Sequence, residues 1–135
     1  MNSRDLYLLD SRPDIPSAKV TEKMSPDEKF QNRTLRPVAK LQDELLVVVF
    51  RNYIVKHKNT FYNLRLDERL KYIENAIQKD IKFRNNLKGI IIGQFTLEEY
   101  GQYIQNSSAL NKRMMNIVKE RLQSNIQLLE RDLAY

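Results

Sequence analysis

The stretch DERLKYIENAIQKDIKFRNNLKGIIIG, residues 67–93, constrains this chain more than any other. Wound at 100° per residue, it gathers Leu70, Ile73, Ile77, Ile81 and Ile91 into one apolar stripe. Tyr72, Ala76, Phe83, Leu87 and Ile90 form an adjoining one, and only Lys71, Glu74, Asn75, Gln78, Lys79, Lys82, Asn85 and Asn86 remain on a narrow polar edge. A surface helix buries an apolar arc a little over 100° wide. This arc is roughly twice that, so the stretch is expected to be a long central helix with neighbours on most sides.

The other helices are marked by their ends. Ser25-Pro26-Asp27-Glu28 pairs a capping serine with proline at the first helical position and glutamate three residues after the cap. That helix is expected to stop near Leu35, because Pro37 disfavours helix at Arg36. A second helix, about 37–58, would bury Val38, Leu41, Leu45, Val48, Val49 and Tyr53 and end at the cations of Lys56-His57-Lys58. Phe61 to Leu66 reads as a connector, with Asp67 capping the central helix and Gly93 closing it. Gly89, inside that helix, suggests the close approach of another backbone. Thr96-Leu97-Glu98-Glu99 is a second capping box, opening a helix to about Asn106. The last helix, about 109–132, has a clean apolar face from Leu110 to Leu133. The fold class is therefore all-α, about five helices in one domain over 25–135. An irregular N-terminal arm, 1–24, carries the apolar cluster Leu6-Tyr7-Leu8-Leu9, which is either disordered or docks on a groove, its own or a neighbouring chain's.

At 135 residues a single domain buries about two thirds of its unfolded surface and needs no disulfide or metal to fold. The absence of cysteine excludes thiol catalysis and cysteine-ligated zinc. No apolar run exceeds the six residues Leu45–Phe50, which rules out a spanning helix, and the early acids argue against a signal peptide. The cytoplasm is the expected compartment. Two of the expected helices would be roughly 36–39 Å long at 1.5 Å per residue, against a radius of gyration near 14 Å for a domain of this size. Helices that overhang their own domain bury their ends in a partner, so a homodimer is expected.

Net charge is +6, and its whole excess lies in residues 25–93, with fourteen basic against eight acidic side chains. Lys71, Lys79 and Lys82 on the polar edge form a candidate nucleic-acid face, although basic and acidic residues are interleaved throughout. The acid pairs Asp67/Glu68 and Glu98/Glu99 are explained by favourable charge in a first helical turn, and His57 has no second imidazole or thiol with which to bind a transition metal. More informative are polar groups inside apolar faces: Asp80, Arg84 and Lys88 on the central helix, Arg121 and Asn125 on the last. Unpaired buried charge costs several kcal/mol, so these five must find partners. They are read as a buried polar network, with Asp80 and Arg84 spaced for an internal pair, or as a pocket for an anionic ligand.

The runs FQNRTLRP (30–37), YIENAIQKDIKFRNNLKGIIIGQFT (72–96) and NSSALNKRMMN (106–116) resemble a family of short, uncharacterised bacterial proteins, some of which carry the label "glyoxalase". The resemblance covers about residues 25–130 and implies a helical protein. A metal-dependent glyoxalase needs His and Glu ligands on a mainly β fold, whereas this chain has one His and helical patterning throughout. No activity, cofactor or catalytic residue is carried over. The leading functional expectation is a non-enzymatic, cytoplasmic helical protein acting through self-association or a protein partner. The alternatives are a nucleic-acid-associated protein and a binder or enzyme for small anions.

Overall fold

The computed structural model describes residues 1–130, which are helical with no strand among them. The chain runs α1 (Ser3–Ser11), α2 (Pro26–Phe30), a π-helical turn (Gln31–Leu35), α3 (Arg36–Leu41), α4 (Asp43–Lys56), a 3₁₀ turn (Thr60–Asn63), α5 (Leu66–Lys79), α6 (Ile81–Ile92), α7 (Leu97–Tyr103), α8 (Ser107–Ser124) and a final 3₁₀ turn (Ile126–Leu129). The expected class stands, with more and shorter helices. The expected last helix, about 109–132, ends early, α8 stopping at Ser124 before the 3₁₀ turn, while 131–132 and the apolar Leu133 lie outside the described residues.

Several expected boundaries are confirmed. Ser25 Oγ accepts from the Glu28 amide at 3.2 Å, and Thr96 and Glu99 cap each other reciprocally at 3.1 and 2.8 Å. Others are corrected. Helix does not stop before Pro37: α2 runs through the π turn into α3, with Arg36 in helical geometry (φ −65°, ψ −47°). The Arg36 N–H bonds five residues back to the Gln31 carbonyl, and that wider turn opens the space the proline ring would otherwise strike. Arg65, not Asp67, sits at the cap of α5, where Glu68 Oε1 accepts its N–H at 3.0 Å. A Cβ added at Gly89 would meet nothing within 4 Å, so no backbone approaches there. The N-terminal arm is not irregular throughout: Asn2 Oδ1 accepts the Asp5 amide at 2.8 Å and starts α1.

The expected central helix is broken. Asp80 takes extended geometry (φ −87°, ψ 94°), ends α5, and caps α6 by accepting the Phe83 amide at 3.1 Å. α5 and α6 pack on each other and both pack on α8. The central element is α8, which touches the π turn, α3, α4, α5 and α6 while burying Leu110, Met114, Met115, Ile117, Val118 and Leu122. Against it lies an aromatic cluster in which Phe50 meets Phe61, Tyr72 and Phe83 edge-on, with centroids 5.9–6.2 Å apart. The longest helix among the described residues has 18 residues, about 27 Å at 1.5 Å per residue, so the overhang argument for a dimer falls away.

The face of α4 is also corrected. The chain bends at Gln42 (φ −89°, ψ 5°), whose side chain donates to the Ile90 carbonyl at 3.1 Å. Beyond the bend Leu46, Val47, Phe50 and Ile54 face the core, while Leu45 and Val48 face solvent. Six consecutive apolar residues offer the core any face, and the bend chooses.

Replacing Asp80 by alanine removes the α6 cap and the acceptor of the Tyr53 hydroxyl. It is expected to cost about 1–2 kcal/mol, read as a lower urea midpoint at unchanged slope. A variant as stable as the parent would show that the break does not depend on this carboxylate.

Candidate functional site

Three polar nodes fasten the helices, and between them they settle which groups remain for a partner. The most buried node is centred on Glu99, in the first turn of α7. Its Oε1 accepts from the Thr96 amide (2.8 Å) and Arg12 Nη2 (2.6 Å), its Oε2 from Arg12 Nη1 (2.6 Å) and the Thr34 hydroxyl (2.8 Å). Arg12 Nη2 also reaches the Gln94 carbonyl at 2.7 Å. The two side chains are 7% and 10% exposed, which makes this a buried ion pair. Burial pushes the Glu99 carboxyl up, but Arg12, the Thr96 amide and the Thr34 hydroxyl together hold it below its ordinary value. Sequence reasoning explained Glu99 as a helix-capping acid and missed Arg12, which lies 87 residues away and carries no local signal.

The Glu99 node docks α1 on the start of α7. Arg4 donates to the Gly93 carbonyl at 3.1 Å and Asp5 Oδ2 accepts the Leu97 amide at 3.2 Å. These contacts are polar, and three apolar side chains of α1 turn outward, Leu6 56%, Tyr7 77% and Leu9 40% exposed, while Leu8 is half-buried. On α7, Leu97, Tyr100 and the capping Ile104 are also exposed.

The second node unites two residues singled out from the sequence. Arg121 Nε donates to Asp43 Oδ1 at 2.8 Å, and Asn125 Nδ2 reaches both Asp43 oxygens at 3.0 Å. The end of α8 is thereby tied to the first turn of α4. Asp80 and Arg84 are not part of it, and no ion pair joins those two among the described residues. Arg84 instead lines a small cleft with Lys112 and Lys119, Arg121 borders another with Arg36 and Lys40, and Lys88 is half-buried on α6. The five residues are thus spread over separate places.

The third node is Asp80. Tyr53 donates its hydroxyl to Oδ2 at 3.0 Å, and the Tyr53 ring lies in tilted contact with those of Phe83 (centroids 4.1 Å apart) and His57 (4.0 Å). The Phe83 amide, then the Tyr53 hydroxyl, hold the Asp80 carboxyl below its ordinary value; burial, then Asp80, push the Tyr53 hydroxyl up. Around these rings opens a cleft of about 800 Å³ bordered by Lys56, Lys58 and Lys79, with Lys82 in the adjoining groove. Two members of the candidate nucleic-acid face, Lys79 and Lys82, therefore border adjoining clefts, one each, while the exposed Lys71 borders neither. Lys56 and Lys58 were missed as members because they belong to another helix end.

Large apolar side chains also remain exposed. α4 exposes Leu45 (45%), Val48 (60%) and Val55 (60%), and α1 and α7 expose the residues named above. No group of three or more acids and histidines among the described residues is placed to hold a metal ion, and no helix among them is long and apolar enough to cross a membrane. Comparison with protein-family models, with curated proteins and with solved structures finds no match.

Glu99 has a depressed folded-state value, so its stabilisation is present above the ordinary value of 4.5 and is lost as pH falls through the lower folded-state value. Glu99→Gln strands Arg12 without its charge partner and is expected to cost about 3–5 kcal/mol at neutral pH, read by thermal unfolding. Below pH 4 the parent should show faster amide exchange over residues 3–11, as α1 loses its anchor. Exchange there that is independent of pH, after correction for the intrinsic rate, would contradict this anchor.

Proposed function

We propose that this is a non-enzymatic, cytoplasmic helical protein that works by docking, with a second copy of itself or with another protein. The observation that carries the reading is the orientation of α1. α1, tied down through Arg4, Asp5 and Arg12, turns Leu6, Tyr7 and Leu9 to solvent beside α7, where Leu97, Tyr100 and the capping Ile104 are also exposed. Monomers seldom leave several large apolar side chains exposed on neighbouring helices unless a partner covers them. The carboxylates that could serve acid–base chemistry are spent on structure: Glu99 on Arg12, Asp43 on Arg121 and Asn125, Asp80 on a helix cap. Light scattering of the full chain over rising concentration tests the reading. A mass above 16.1 kDa is expected, falling towards it when Val48→Glu and Ile104→Glu are combined. A parent and a double variant that both stay at 16.1 kDa would overturn self-association.

One observation favours a second reading, binding of single-stranded nucleic acid. The exposed His57 ring lies against Tyr53, and Lys56, Lys58, Lys79 and Lys82 border the surrounding clefts, pairing exposed ring surface with cations suited to phosphates. This reading predicts oligonucleotide affinity that falls about tenfold or more between 50 and 200 mM salt. It also predicts weakening on His57→Ala. Fluorescence anisotropy with a labelled oligonucleotide decides, and absent or salt-independent binding would sink it.

A further inference from the structure

Helix α4 carries its exposed residues at heptad spacing. Leu45, Val48, Asn52 and Val55 follow one another at steps of three, four and three, the spacing of a helix–helix seam. All four are exposed, while Leu46, Val47, Phe50 and Ile54 on the opposite side are buried. The seam is bordered by a groove between α4 and α6, with Val49 and Asn52 on one wall and Phe83 and Asn86 on the other.

We propose that α4 is the interface between two copies of this chain, the two α4 helices lying antiparallel about a two-fold axis near Val48 and Asn52. The proposal rests on the docking reading above and names the partner for this one face. A two-fold pairing uses the same patch on both sides, so a single self-complementary stripe is sufficient. In this arrangement Leu45 of one copy faces Val55 of the other, and Val48 faces Asn52.

Charge selects both the occupant and the direction. Glu44 lies beside the seam at the start of α4, Arg51 and Lys56 towards its end. None of the three takes part in an ion pair among the described residues. Antiparallel packing brings Glu44 of each copy close to Lys56 and Arg51 of the other, twice over, and sets the helix dipoles head to tail. Parallel packing would bring Glu44 against Glu44 and Arg51 against Lys56, with like charges at both ends. Asn52 in the seam lowers affinity and penalises shifted registers, as a polar residue at such a position does.

The test is sedimentation velocity on the full chain and four folded variants, with folding checked by circular dichroism. The parent is expected to form a species of twice 16.1 kDa. Val48→Glu should abolish it and Ile104→Glu should not. Glu44→Lys should weaken association at least tenfold, and adding Arg51→Glu and Lys56→Glu to Glu44→Lys should restore it to within about threefold of the parent. A Val48→Glu protein that is folded and still dimeric overturns the α4 interface while leaving docking through another face intact. A triple variant that stays weak overturns the antiparallel direction. A parent that never associates overturns both the interface and the self-association on which it rests.

Discussion

Three interruptions of the helices each carry a polar side chain that bonds to a different helix. Gln42 bends the chain between α3 and α4 and holds the Ile90 carbonyl of α6. Asp80 divides α5 from α6 and receives the Tyr53 hydroxyl from α4. Asn125 follows the end of α8 and reaches Asp43 at the start of α4. A hydrogen bond of this kind contributes only about 1 kcal/mol net, but its geometry fixes where one helix ends and the phase in which the next begins. The apolar faces then meet because their phases are set. The aromatic cluster around Phe50 and the α8 face follow from that constraint.

The Glu99 node does for the N-terminal segment what those breaks do for the core. One carboxylate accepts bonds from Arg12, Thr34 and Thr96, joining the segment after α1, the π turn and the start of α7. Taking two charges out of water is expensive, and such pairs add little net stability compared with apolar packing. Arg12 Nε is even left without a partner. What the pair supplies is direction: α1 is tied down through its polar edge, and Leu6, Tyr7 and Leu9 face outward.

Exposed apolar groups accordingly concentrate on α4 and on the α1–α7 corner, while Asp80, Arg121 and Asn125, three of the polar groups that stand out in the sequence, hold helices together. The lysines gather where helix α4 ends and the α5–α6 break begins, beside the rings of Tyr53 and His57. These are surface properties of an otherwise closed helical core.

Helical class, the capped starts at Ser25 and Thr96, and the apolar face of α8 were legible in the sequence, because caps and 3.6-residue periodicity are local physics written in neighbouring residues. Among the candidate site residues, Arg121 and Asn125 were legible as polar intrusions needing a partner, but that partner, Asp43, lies 78 and 82 residues away. The continuation through Pro37, the break at Asp80, and the burial of Leu46 and Val47 rather than Leu45 and Val48 were not legible. Each depends on a choice that local propensity leaves nearly balanced. An uninterrupted apolar run offers the core every face, and a lone aspartate suits a helix surface or a cap. The sequence by itself determined that this chain is helical and where α2 and α7 begin. Only the tertiary structure decided which faces are buried, because bonds between distant side chains set the phase of each helix against the next.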